Sequence, residues 1–76
     1  MNGPSVDSLS PGQSALISGI DAEEAVHQRL LALGFRHGKR VELIRRSRFS
    51  GPLHLRIGTT EVIMRPAEAQ RIKINA

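Results

Sequence analysis

Short alternating apolar runs constrain this chain more than any other feature. Leu53, Leu55 and Ile57 alternate with His54 and Arg56, the period of two of a half-buried strand. Val41 and Leu43 alternate with Glu42 in the same way, until Ile44 breaks the polarity of the other face. Ala15–Ile20 and Thr60–Met64 read as further strands between turn signals, with Ile72 and Ile74 in a last short one. Gly19 inside the first predicts a bulge or a close backbone approach. Gly58-Thr59 and the Phe49-Ser50-Gly51-Pro52 loop supply turns between strands. Strands this short are stable only when they curl around one core. The expected fold class is therefore mainly β with one helix, a small, partly open five-stranded barrel.

The helix is expected over Asp21 to Leu33. Asp21 suits the N-cap, and Glu24 stands three residues later as in a capping box. Ala22, Val26, Leu30 and Leu33 form one apolar stripe, with Leu31 on the opposite side. Gly34 fits the residue after the helix, and Phe35 supplies the hydrophobic contact that follows. Pro66 ends the fourth strand, and the segment 67–70 suits one helical turn. Upstream, Ser10-Pro11-Gly12 reads as a turn, with Leu9 as the first core anchor. Residues 1–8 have no hydrophobic period and are expected to form a loose tail, leaving 9–76 as the single domain.

Composition removes several function classes. With no Cys, neither a disulfide nor a thiolate metal site can form. The longest apolar run, Leu30–Leu33, is far short of the ~20 residues of a membrane span. The first residues lack the basic and apolar parts of a signal peptide, so a cytoplasmic location is expected. No nucleophile–base pair, phosphate loop or dinucleotide fingerprint is present, so no enzymatic activity and no cofactor are expected. Glu23 and His27 lie four apart on the helix and could share an ion, but His37 and His54 lie elsewhere. Two donors fall short of the three or four of a specific site, so no metal is expected.

The net charge of +4 is unevenly spread. Residues 1–28 hold four acids and no Lys or Arg, whereas residues 29–76 hold all 11 basic residues and three acids. A basic face suggests an anionic or acidic-rimmed partner. Arg36, Lys39, Arg40, Arg45, Arg46 and Arg48 crowd one stretch, so a basic barrel that binds nucleic acid is one reading. Nucleic-acid barrels also need aromatic stacking platforms, and this chain has two Phe and no Trp or Tyr. The same shortage argues against an aromatic groove for Pro-rich peptides.

Several elements occur together in a familiar order. They are Leu9 with Gly12, then Arg29-Leu30-Leu31-Ala32-Leu33-Gly34, then Gly38, Met64-Arg65-Pro66-Ala67-Glu68-Ala69 and Ile72-Lys73-Ile74. In that order and spacing the chain resembles the FeoA family, small cytoplasmic partners of the bacterial ferrous iron transporter FeoB. Met64 stands where the family usually has Leu, a change that conserves volume. The resemblance implies an SH3-like barrel and docking on the cytoplasmic domain of FeoB, with membrane contact only through that partner. The same module resembles the C-terminal SH3-like domain of metal-dependent transcriptional repressors, which keeps a role in metal-dependent regulation as the alternative. The length leaves no room for their DNA-binding domains, so the transporter partner is favoured.

Most matched residues have structural readings. Gly12, Gly34 and Gly38 suit special backbone angles, Leu30 the core, and Ala69 a tight packing position. Arg29 can lay its stem on the core and pair its head with Glu68 or a carbonyl, with Arg65 in the same motif. What the core does not explain is Leu31 off the stripe, Phe49 in its loop, and Arg45, Arg46 and Arg48 beside it. Exposed apolar groups rimmed by charge mark protein-binding surfaces, and these five residues are the expected docking set.

Overall fold

The computed structural model describes residues 3–49 and 51–75. Five antiparallel strands form one curled sheet in the order β4-β3-β2-β1-β5. They are β1 (Ser14–Ile20), β2 (Arg40–Arg46), β3 (Leu53–Ile57), β4 (Thr60–Met64) and β5 (Ile72–Ile74). Helix α1 (Glu24–Leu33) links β1 to β2, and the single turn α2 (Pro66–Ala69) links β4 to β5. The alternation of β3 is realised, with Leu53, Leu55 and Ile57 buried. They meet Ile17, Leu30, Phe35, Val41, Leu43, Met64, Ala69, Ile72 and Ile74 in one core.

Two irregularities bend the sheet. The β1–β5 register shifts between Ile17 and Gly19, at the glycine where a bulge was expected. The β2–β3 register shifts between Leu43 and Arg45, so Ile44 is the extra residue. A bulge adds twist and reverses the facing of every later side chain on its strand. The polarity break at Ile44 is therefore the sequence trace of this bulge.

The helix ends as expected and begins later than expected. Gly34 adopts φ 106°, its N–H bonds toward the Leu31 carbonyl at 3.0 Å, and Phe35 N–H donates to Leu30 at 3.0 Å. This is the Schellman arrangement that favours glycine. At the other end, Asp21 does not cap. Its backbone N–H donates to the Arg71 carbonyl at 2.8 Å, prolonging the β1–β5 ladder, and Glu23 takes the N-cap position without a side-chain bond. The stripe is also rotated. Val26, His27 and Leu31 are half-buried beside buried Leu30, while Leu33 is 38% exposed rather than in the core.

The ordered chain starts before the expected boundary at residue 9. Val6 is fully buried in a 3-10 turn, Val6–Ser8, and Leu9 is buried next to it. Ser5 bridges Lys73, and Ile74 N–H donates to the Pro4 carbonyl at 3.0 Å. Burying a valine stabilises by roughly 1.5–3 kcal/mol, enough to hold a short segment that lacks any periodicity. Residues 4 and 5 thus cover the outer edge of β5, and Met1 and Asn2 lie outside the described residues.

Candidate functional site

The bulge at Ile44 sorts the three arginines of the expected docking set. After it, Arg45 pairs across with His54 on the outer face, and Arg46 pairs with buried Leu53 on the inner side. Arg46 sits at the barrel rim with its side chain 31% exposed. Its Nη2 donates to the carbonyls of Asp7 at 2.6 Å and Leu9 at 2.9 Å, and its Nη1 to Asp7 Oδ1 at 3.3 Å. The guanidinium is thus spent on holding the N-terminal turn against the barrel. Arg46 therefore clamps the N-terminal turn to the barrel, with less of its side chain free for a partner than Arg45 or Arg48. Arg45 and Arg48 are exposed and make no side-chain hydrogen bond among the described residues.

Phe49 projects from the β2–β3 loop and is 97% exposed. Its backbone has φ 57°, in the left-handed region that a bulky side chain rarely adopts. The loop closes by Ser47 N–H to the Pro52 carbonyl at 3.0 Å and Gly51 N–H to the Arg48 carbonyl at 3.1 Å. Gly51 is required there, since a Cβ would lie 2.7 Å from that of Ser47. An exposed aromatic on strained backbone does nothing for folding on either count. With Phe35 fully buried, one exposed aromatic remains, which is no stacking platform for nucleic acid.

The outer face of β2–β3–β4 carries two cross-strand rows. Glu42, Arg56 and Glu61 align in one, and Arg56 bonds Glu42 Oε1 at 3.4 Å and Glu61 Oε2 at 3.1 Å. Arg45, His54 and Ile63 align in the next, with His54 Nε2 2.7 Å from Glu61 Oε1. The Arg56 guanidinium, then the His54 ring, holds the Glu61 carboxyl below the usual carboxylate range. Ile63, 66% exposed on β4, was not singled out from the sequence. Its signal was parity, since Val62 and Met64 on either side face inward.

Leu31 lies away from Phe49. It is half-buried near the end of α1, and Gly34 beside it packs toward Ile57 at the far end of β3. Phe49 lies before Leu53, at the opposite end. Four strand steps separate those ends by about 13 Å. The expected docking set therefore splits into Arg45, Arg48 and Phe49 at one end, Leu31 at the other, and Arg46 turned inward. Arg29 pairs with Glu68, tying α1 to α2 as expected, and Ala69 is buried. Gly12 and Gly38 adopt φ 90° and 88°, and Gly12 N–H donates to the Leu43 carbonyl at 2.7 Å. The Arg65 carbonyl accepts from Glu68 and Ala69 N–H at 3.0 Å each, starting α2. Glu23 and His27 stand in the first turn of α1, and no cluster of three or more metal-ligating side chains occurs among the described residues. No helix among them is long and apolar enough to cross a membrane.

The FeoA domain family matches residues 5–76. The chain belongs to the FeoA family. A Campylobacter jejuni protein named Fe(2+) transport protein A is 31% identical over 70 residues, covering 92% of this chain and 95% of its own. Among solved structures, the zinc complex of Stenotrophomonas maltophilia FeoA superposes with a TM-score of 0.86 at 26% identity. That match covers 96% of this chain and 91% of the other, which is described as an SH3-domain protein and a candidate activating factor for ferrous iron transport. FeoA of Chlorobium tepidum matches at 28% identity and a TM-score of 0.84, over 96% of this chain and 71% of its own. The five-stranded, one-helix barrel is thus SH3-like, as the resemblance implied. A manganese-dependent transcriptional repressor shares the fold at 19% identity and a TM-score of 0.83, with this chain covering 40% of it.

Proposed function

We propose that this FeoA-family chain docks on the cytoplasmic domain of an FeoB-type ferrous iron transporter and modulates iron uptake by contact alone. Phe49 carries the reading. It is the most exposed large apolar residue described, it sits on strained backbone, and Arg45 and Arg48 flank it without partners of their own among the described residues. An aromatic anchor seated in a partner pocket, ringed by cations, is a common form of interface hot spot. The cations would speed encounter with an acidic surface and make it salt-dependent. Modulation follows if the chain binds one state of the transporter more tightly than another, since only that difference biases the equilibrium.

The test is titration of the FeoB cytoplasmic domain, and of full-length FeoB in detergent, with the wild-type chain and three variants. Phe49→Ser should weaken binding about 10- to 100-fold, the worth of burying one such side chain. Arg45→Glu with Arg48→Glu should slow association and flatten its salt dependence. Leu31→Gln, at the other end of the barrel, should bind like wild type. Equal binding by all three variants would remove the docking surface. No binding of wild type to either form of FeoB would remove the function.

A further inference from the structure

The two edges of the sheet are treated differently. The β5 edge is covered by the N-terminal segment, through Ser5 opposite Lys73 and the Ile74–Pro4 bond. On the other side, β4 is the last strand of the sheet, and β3 is its one hydrogen-bonded strand neighbour among the described residues. An uncovered edge offers its backbone groups to another strand unless Pro, Lys or a bulge blocks it. The sequence Thr60-Glu61-Val62-Ile63-Met64 contains no Pro or Lys, and its register with β3 is unbroken.

The hairpin turn shows which groups point outward. Ile57 and Thr60 pair across the two-residue loop Gly58-Thr59, with Gly58 at φ 61° in the first loop position. In such a hairpin the closing pair exchanges both hydrogen bonds, and bonded and non-bonded pairs then alternate. Thr60, Val62 and Met64 therefore bond to β3, while Glu61, Ile63 and Arg65 direct their N–H and C=O to the open edge. The same three side chains lie on the outer face, and all are exposed.

We propose that β4 is a self-pairing edge, joining two copies of this chain antiparallel about Ile63. In that register Ile63 lies opposite Ile63 of the second copy, and Glu61 lies opposite Arg65 on each side. A two-fold interface must be self-complementary, and the order acid–apolar–base around Ile63 meets that condition. Two bonds exchange between the Ile63 backbones, and each Arg65 N–H donates to the opposing Glu61 carbonyl. The Arg65 carbonyl already accepts from Glu68 and Ala69, so it adds none. Glu61 bonds His54 and Arg56 through one contact on each oxygen, which leaves lone pairs for a further guanidinium. The joined sheets would run continuously through ten strands, with Ile63 covered. One short strand pair is small beside the ~1,200 Å² of a stable interface, so the self-association is expected to be weak and reversible.

Sedimentation equilibrium and concentration-dependent amide NMR shifts of the full chain test this independently of the transporter reading. Dimerisation is expected with shifts centred on 61–65. Ile63→Lys should abolish it while the far-UV spectrum stays native, because the side chain is already mostly in solvent. Glu61→Arg alone and Arg65→Glu alone should each reduce self-association at least tenfold, by placing like charges opposite. An equimolar mixture of those two variants should recover a heterodimer, since every facing pair is then attractive. A strictly monomeric wild type at 2 mM would overturn the proposal. So would concentration-dependent shifts confined to the Phe49 loop, or failure of the mixture to regain association.

Discussion

Adjacent arginines on one strand should differ sharply in what they contribute to stability. Arg46 makes three hydrogen bonds to the N-terminal turn, two of them to carbonyls at 2.6 and 2.9 Å, with its side chain 31% exposed. Hydrogen bonds from a charged donor contribute about 1.5–3 kcal/mol each when well shielded. Partial exposure lets water replace much of that, so about 2 kcal/mol in total is a sound figure for Arg46→Met. Met keeps the apolar stem over the core, so little packing is lost. In a chain of this size, 2 kcal/mol lowers Tm by about 8–16 °C. Arg45→Met, one residue away but on the outer face, should stay within about 0.5 kcal/mol of wild type. The chain has no Trp or Tyr, so far-UV circular dichroism is the appropriate melt. Amide exchange at Leu9, whose N–H bonds to Val6 at 3.1 Å, should quicken in Arg46→Met alone. Equal losses in the two variants, or no loss in Arg46→Met, would refute the bulge-driven sorting of these side chains.

Two further outcomes follow from the loop and the outer face. Gly51→Ala should destabilise by about 1–3 kcal/mol, because its Cβ would collide with Ser47 and crowd the Arg48 carbonyl, and it should weaken docking by displacing Phe49. A chemical melt together with the FeoB titration checks both effects. Glu61 titrates below the usual range in the fold, so its contribution is full above the unfolded value of ~4.3 and is lost as pH falls through the lower folded value. A carboxyl-carbon NMR titration should show this low midpoint, moving up in Arg56→Gln; an unmoved midpoint would contradict the assigned cause.

Strand boundaries were the most legible part of this chain. β3 follows from strict alternation, β4 from the turn signals on either side of it, and the end of α1 from Gly34 and Phe35. Local signals of that kind need no knowledge of the partner strand. The misreadings share a physical origin in tertiary choices that local pattern cannot weigh. Asp21 has the chemistry of a cap, but the β1–β5 ladder uses its backbone first. Val6 is a lone apolar residue without period, and only the assembled barrel provides the hole it fills. Ile44 fits either face equally well, so the bulge that turns Arg46 inward and Arg45 outward had no sequence marker beyond a broken alternation. For the candidate surface, the sequence placed Phe49 in a loop bounded by Gly51-Pro52, and its 97% exposure is settled only by the assembled loop. Helical periodicity shows that Leu31 leaves the apolar stripe, whereas its distance from Phe49 depends on which end of β3 the helix meets.

The proposed docking seats a transporter surface on the Phe49 end of the barrel. Amide shift mapping of the labelled chain against the unlabelled FeoB cytoplasmic domain tests it most directly. The expected result is broadening or movement confined to 45–49 and the adjoining start of β3, with the end of α1 and the Gly58 turn unchanged. Shifts centred on Leu31 and Gly34, with the Phe49 loop silent, would contradict it.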